Sequence, residues 1–184
     1  MTMQAPIAEM GFSAPAFSLP GTDGRVHALG ELAGARGTVV AFICNHCPYV
    51  KAMLPRFVRD ARDLASMGVS VIGISSNDAT AYPEDSFERM KKLAPGLPFP
   101  YLYDESQAIA RAYHAVCTPD FFGFDAGLKL RYRGRIDGAR IEAAPAGMPR
   151  DLVDAMKMIA DTGQGPNAQL ASIGCSIKWR AGTD

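Results

Sequence analysis

Residues 38–43 read Thr-Val-Val-Ala-Phe-Ile, and the run ends at Cys44-Asn45-His46-Cys47 with Pro48 next. No other feature limits the fold as much. An unbroken, β-branched-rich apolar run suits a central strand covered on both faces. Beyond Pro48, residues Val50, Leu54, Phe57, Ala61 and Leu64 recur at helical spacing until Gly68 stops the pattern. Pro48 fits the first turn of that helix, where a missing N–H costs nothing. Residues 69–74 repeat the buried-strand signature. Two such strands joined by a helix form a right-handed βαβ unit. The two cysteines therefore stand where a strand hands over to a long helix.

The rest of the chain extends this unit. The first 37 residues, rich in Gly, Ala and Pro, form an irregular lead-in with a short hairpin between residues 17–19 and 26–28. A helix follows at 83–94, carrying Phe87, Met90 and Leu93, with Glu84, Asp85, Glu88, Arg89, Lys91 and Lys92 forming a charged face of ordinary i,i+3 and i,i+4 pairs. A proline-rich loop spans 95–100. Asp104 and Gln107 have the spacing of a capping box for a short helix through Tyr113. Residues 121–125 and 128–133 flank Ala126-Gly127 as an antiparallel hairpin. A last helix at 151–161 ends before Gly163, and the tail, 164–184, shows little pattern. The order βαβα(α)ββα predicts an α/β fold with a mixed central sheet and helices on both faces. The length, 184 residues, predicts one domain over 1–184.

Composition narrows the function. Lys+Arg and Asp+Glu are both 19, and the zero formal charge argues against nucleic-acid or anionic-membrane partners. No apolar run approaches the ~20 residues that span a bilayer. The first residues lack a basic and then apolar leader, so the expected location is cytoplasmic. Four cysteines are too few for a disulfide scaffold, and closely spaced ones in a reducing compartment point to catalysis or metal binding. Zinc needs four ligands. With only His27, His46 and His114 and no second CxxC, no metal is expected, and no organic cofactor.

Cysteines three apart at a helix start can close a small disulfide with little backbone movement. The unpaired N–H groups there stabilise a thiolate and can lower a thiol from ~8.5 to ~3.5–7.5. His46, as an imidazolium between the sulfurs, would favour the reduced pair and make the couple more oxidising; the alternative is a plain exposed cap. Downstream stands Cys117-Thr118-Pro119, where an X-Pro bond entering a strand is a candidate for the cis isomer. Thr118, extended and unpaired there, would offer an edge on which an incoming peptide could lie beside the sulfurs. Cys117 is either within reach of the pair or an inert buried thiol, and Cys175 could be a distal resolving thiol. Arg131, Arg133 and Arg135 alternate on a strand and share one face, read as solvated.

Strand, CxxC, helix, strand and a Thr-Pro before a hairpin resemble the thioredoxin fold. The opening Ala14-Pro15-Ala16-Phe17-Ser18-Leu19 with Gly24 is similar to that of the redoxin branch, the peroxiredoxin-like AhpC/TSA and TlpA/ResA-like proteins. So are Asn45-His46-Cys47-Pro48-Tyr49-Val50, Thr118-Pro119-Asp120-Phe121-Phe122, Tyr132-Arg133-Gly134-Arg135-Ile136-Asp137 and Gly174-Cys175-Ser176-Ile177-Lys178-Trp179. The resemblance implies a cis Thr118–Pro119 bond and a thiol–disulfide oxidoreductase. Cys44 would be its exposed attacking thiol and Cys47 its buried resolving thiol. Its partners would be protein or small-molecule disulfides or thiols and an external thiol reductant. The peroxiredoxin pattern of Thr or Ser, two residues, then Cys-Pro gives an alternative thiol peroxidase. Cys47 would attack a hydroperoxide, Cys44 would condense with the sulfenic acid, and Arg133 or Arg135 would supply an arginine. A third reading makes the CxxC a sensor or a metal-delivery site in a binding module.

Overall fold

The computed structural model describes residues 1–6 and 9–182; residues 7–8 of the lead-in and 183–184 of the tail lie outside it. Strand β4 (Gly37–Phe42) is buried at every residue, as its unbroken apolar run requires. It leads through the cysteine loop into α2 (Pro48–Ser66), which returns to β5 (Val69–Ser75) lying parallel to β4. Before them come β1 (Thr2–Gln4), the hairpin β2 (Ser18–Pro20) and β3 (Val26–Ala28), and the short α1 (Leu29–Leu32). After them come α3 (Phe87–Leu93), β6 (Tyr101–Tyr103), α4 (Ala108–Ala112), β7 (Cys117–Thr118), β8 (Asp120–Phe124), β9 (Leu130–Gly134), α5 (Asp151–Thr162) and β10 (Ile173–Ser176).

The central sheet runs β6-β5-β4-β8-β9, parallel on the β5 side of β4 and antiparallel on the β8 side. Strand alternation divides the core. Val39, Ala41 and Ile43 pack with Phe57 and Leu64 of α2 and Met156 of α5. Val40 and Phe42 pack on the other face with Ile72, Phe122, Ala110 of α4 and Tyr113. The result is the expected mixed sheet with helices on both faces.

Three expectations change, and one strand is added. The helix at 83–94 is broken, because Pro83–Asp85 is a tight turn and Ser86 is extended before α3 begins. Strand β6 falls between the proline-rich loop and Asp104, where the sequence assigns no element: three residues directly after a proline carry too little pattern to register as a strand. The capping box does not close. Asp104 accepts the Ile109 and Ala110 N–H groups, but Gln107 takes φ 65° and its amide donates to Ser76 and Lys178 carbonyls. The tail is not patternless. Strand β10 pairs antiparallel with β1 on one side and β7 on the other, forming a second, three-stranded sheet. Beyond it, the Lys178 N–H donates to Asn77 and the Arg180 N–H to Gln107, fixing the tail to the body. Among the described residues no helix is long and apolar enough to cross a membrane.

Candidate active site

The loop that leaves β4 places Cys44 just beyond the strand and Cys47 at the N-cap of α2. Both thiols are reduced and buried; Cys44 is 1% exposed and Cys47 is 0%. The expectation that Cys44 is an exposed attacking thiol is therefore corrected. Thr118 holds the pair from across the site. Its hydroxyl lies 3.3 Å from the Cys44 sulfur, and its carbonyl accepts the Cys47 S–H at 3.2 Å. The Thr118–Pro119 bond is cis, as the resemblance implied.

The two neighbouring sulfurs titrate as a pair and shift each other in opposite directions. The Cys44 S–H lowers Cys47 to about 5, helped by the Cys175 thiol, the Val50 N–H and the Cys175 N–H, and opposed by burial. The same pairing pushes Cys44 up, together with burial and the Asp85 carboxylate. Ionisation of the pair is thus favoured at Cys47, at the helix N-terminus.

Asp85 is the residue that the sequence reading misplaced. It belongs to no solvated face: it is 0% exposed and turned onto the cysteine loop. Its carboxylate accepts the Asn45 N–H at 2.8 Å, the His46 N–H at 3.1 Å, the His46 ring at Nδ1 and the Asn77 amide at 2.7 Å. Asn45 also donates to the Glu84 carbonyl and accepts the Tyr101 hydroxyl. His46 is partly buried and stacks on Tyr82, 5.5 Å between centroids at 8°. It is not a plain exposed cap, because its ring is held by Asp85 and Tyr82. Cys44, His46 and Asp85 each bring one possible metal-ligand atom within 4.8 Å of the others. Both Asp85 oxygens already accept two hydrogen bonds each, however, and three ligands fall short of a closed zinc site.

The remaining candidates lie apart from the sulfurs' hydrogen bonds. Cys117 is buried, and burial pushes its thiol well up, the environment of an inert core cysteine. Arg133 is not on a solvated face. It is buried, pairs with Asp120 at 2.8 Å, donates to the His114 carbonyl and lies 4.5 Å over the Phe122 ring. Arg135 pairs with Asp151 and, with Tyr49, Met53 and Pro119, lines a pocket of about 50 Å³ beside β10. Both guanidiniums are thus committed to carboxylates, and the arginine of the peroxidase alternative is not supplied to the thiols.

The model of the AhpC/TSA family matches residues 10–133, more than half of the chain. The chain belongs to the AhpC/TSA family. Two solved structures are similar over their whole length. One is an uncharacterized conserved protein from Geobacillus kaustophilus (44% identity, 100% of this chain and 98% of that one, TM-score 0.93). The other is a hypothetical protein from Sinorhizobium meliloti 1021 (39% identity, 97% and 99%, TM-score 0.89). A thiol:disulfide interchange protein of the thioredoxin family from Chlorobium tepidum TLS shares the fold at 20% identity (84% and 99%, TM-score 0.61). No curated protein matches. Within this AhpC/TSA chain the matched segment holds Cys44, Cys47, Thr118 and Pro119 and ends before β10.

Strand β10 changes what the Thr118 edge can do. That edge was expected to be unpaired and open to a substrate peptide. In the structure Thr118 is the register partner of Cys175, and Cys117 of Ser176. The chain's own tail fills the place, and it brings a third cysteine to the pair.

Proposed function

We propose that this AhpC/TSA-family chain is a thiol–disulfide oxidoreductase whose Cys44–Cys47 pair cycles between dithiol and disulfide. The observation that carries the reading is a pair of CxxC thiols at a helix N-terminus, both held by Thr118. The Cys47 thiolate attacks a substrate disulfide, forms a mixed disulfide and releases one substrate thiolate. With its charge gone, Cys47 no longer holds the Cys44 proton. Cys44 passes that proton to the His46–Asp85 pair and attacks the Cys47 sulfur. The second substrate thiolate leaves and the Cys44–Cys47 disulfide remains; an external thiol restores the dithiol. His46 and Asp85 position the loop, and Thr118 with Pro119 positions the sulfurs. The reading assigns the protein to the reducing cytoplasm, where small thiols are abundant, with neither nucleic acid nor membrane as partner.

The test is turnover of a small-molecule disulfide, with peptide mapping of the oxidised protein. Trypsin leaves both cysteines on the peptide of residues 37–51. The oxidised wild type should carry an internal disulfide in that peptide, and Cys47→Ser should abolish turnover. Full turnover by Cys47→Ser, or no internal disulfide after oxidation, overturns the reading. The lowered Cys47 also favours a second reading, a thiol peroxidase. There Cys47 attacks a hydroperoxide, releases an alcohol or water and becomes a sulfenic acid; Cys44 then condenses with loss of water. Hydroperoxide consumption that survives Cys44→Ser and disappears with Cys47→Ser would select it.

A further inference from the structure

The thiols of the proposed exchange are sealed in the core, whereas Cys175 is the one cysteine that is not fully buried. We propose that Cys175 is a third redox thiol, the relay through which external thiols reach the buried pair. The inference rests on the exchange reading and adds its route of access.

Geometry brings Cys175 to the right sulfur. It is the register partner of Thr118, the same residue that holds Cys44 and Cys47. It packs against the cluster that contains both, and it is near enough to Cys47 to help lower that thiol. Its strand is fixed from both sides, by β1 at Thr2 and by β7. The approach is also close: a Cβ added at Gly174 would lie 2.1 Å from the Thr118 carbonyl oxygen, so only glycine lets β10 lie this near. A lone thiol on a tail needs none of this.

The relay balances without an added oxidant. In the oxidised centre the Cys175 sulfur attacks the Cys47 sulfur. The Cys44–Cys47 bond breaks, a Cys47–Cys175 bond forms, and Cys44 leaves and takes the proton that Cys175 gave up. An external small thiol then attacks the Cys175 sulfur, at the solvent side, and releases Cys47. A second thiol attacks the mixed disulfide on Cys175 and leaves as the oxidised small-molecule disulfide. Two external thiols are oxidised, and the protein disulfide is reduced to two thiols.

Cys44→Ser treated with oxidised glutathione tests this. Trypsin places Cys47 on the peptide 37–51 and Cys175 on the peptide 158–178. The two peptides should be recovered joined, because Cys47 displaces the glutathione taken up at the partly exposed Cys175. Glutathione remaining on either cysteine, with the peptides separate, overturns the relay. In a second arm, Cys175→Ser oxidised at Cys44–Cys47 should be reduced by glutathione roughly tenfold or more slowly than wild type, since access governs exchange. An unchanged rate also overturns the relay. The Cys44–Cys47 disulfide that still forms in this variant shows that the site is folded, and it reads the exchange proposal separately. Its absence from wild type as well would sink that proposal, whatever the joined peptides show.

Discussion

Gly174→Ala tests the close approach of β10. The added Cβ would meet three backbone atoms: the Thr118 oxygen at 2.1 Å, the Thr118 carbonyl carbon at 2.6 Å and the Pro119 nitrogen at 3.0 Å. None belongs to a side chain that can swing aside. A relaxed C···O contact is about 3.3 Å, so the strand has to withdraw by about 1 Å. Backbone hydrogen bonds now hold the strand on the Thr118 side, among them the one of 2.9 Å from the Ile177 N–H to Val116. Lengthened by that amount they pass beyond useful range. Losing two or three of them, at about 1 kcal/mol each, costs about 2–3 kcal/mol. For a chain of this size that lowers Tm by roughly 4–12 °C. Thermal unfolding followed by circular dichroism measures the loss, and hydrogen exchange in the peptide 158–178 locates it. The same withdrawal takes Cys175 from Cys47, so Cys44→Ser combined with Gly174→Ala should no longer yield joined peptides. A Gly174→Ala protein with wild-type Tm and undiminished protection of β10 would refute the packing argument.

Other consequences follow from buried charge. Arg133→Met leaves the Asp120 carboxylate buried without its partner and should cost about 3–5 kcal/mol in urea denaturation, most of it recovered by adding Asp120→Leu; a neutral single variant would contradict the pairing. Because Cys47 is lowered to about 5, the unfolded chain binds a proton that the folded chain has released between that pH and the ordinary thiol range near ~8.5. The reduced protein should therefore gain stability relative to the disulfide form as pH rises across that window. Above it the raised Cys44 reverses the sign, and stability curves of the two redox forms measure the difference. Asp120, raised to about 6 by burial, destabilises both forms alike as pH rises from ~4 to 6, so it cancels from the comparison. Asp85→Asn removes a charge that holds Cys44 up and sets an amide against the Asn77 and His46 donors. It should cost about 1–3 kcal/mol and move the second ionisation of the pair to lower pH, read from thiolate ultraviolet absorbance; an unmoved titration would exclude Asp85 from the electrostatics.

What was legible in the sequence follows the range of the interactions. The β4–cysteine–α2–β5 unit could be read because its signals are local: an apolar run, a proline at the helix start and apolar residues at helical spacing. The hairpin of β8 and β9 and the end of α5 at Gly163 were legible for the same reason. Strands β1 and β10 were not, because each is short and exists through pairing between opposite ends of the chain. Asp85 reads as one charge among several on a helix; only the N–H groups of a loop 39 to 40 residues away show why it is buried. Arg133 reads as one of three alternating arginines until Asp120 is found beneath it.

The same division separates the reactivity of the site from its access. A cysteine pair at the start of a helix has its chemistry written locally, in residues 44–48. Who reaches it depends on the edge at Thr118, and that is decided by residues more than fifty positions away in β10. A substrate peptide lying along Thr118 would have to displace backbone hydrogen bonds that β10 already makes, each contributing about 1 kcal/mol, and to undo the tail's attachment to Asn77 and Gln107 as well. A small disulfide or thiol meets no such competition at the partly exposed Cys175. Turnover of a small disulfide should therefore exceed that of a cystine-bridged peptide. Shortening the chain after residue 172 should reverse that order by opening the edge. A full-length protein that prefers the peptide would mean that β10 leaves the site readily, and the filled edge would then not govern access.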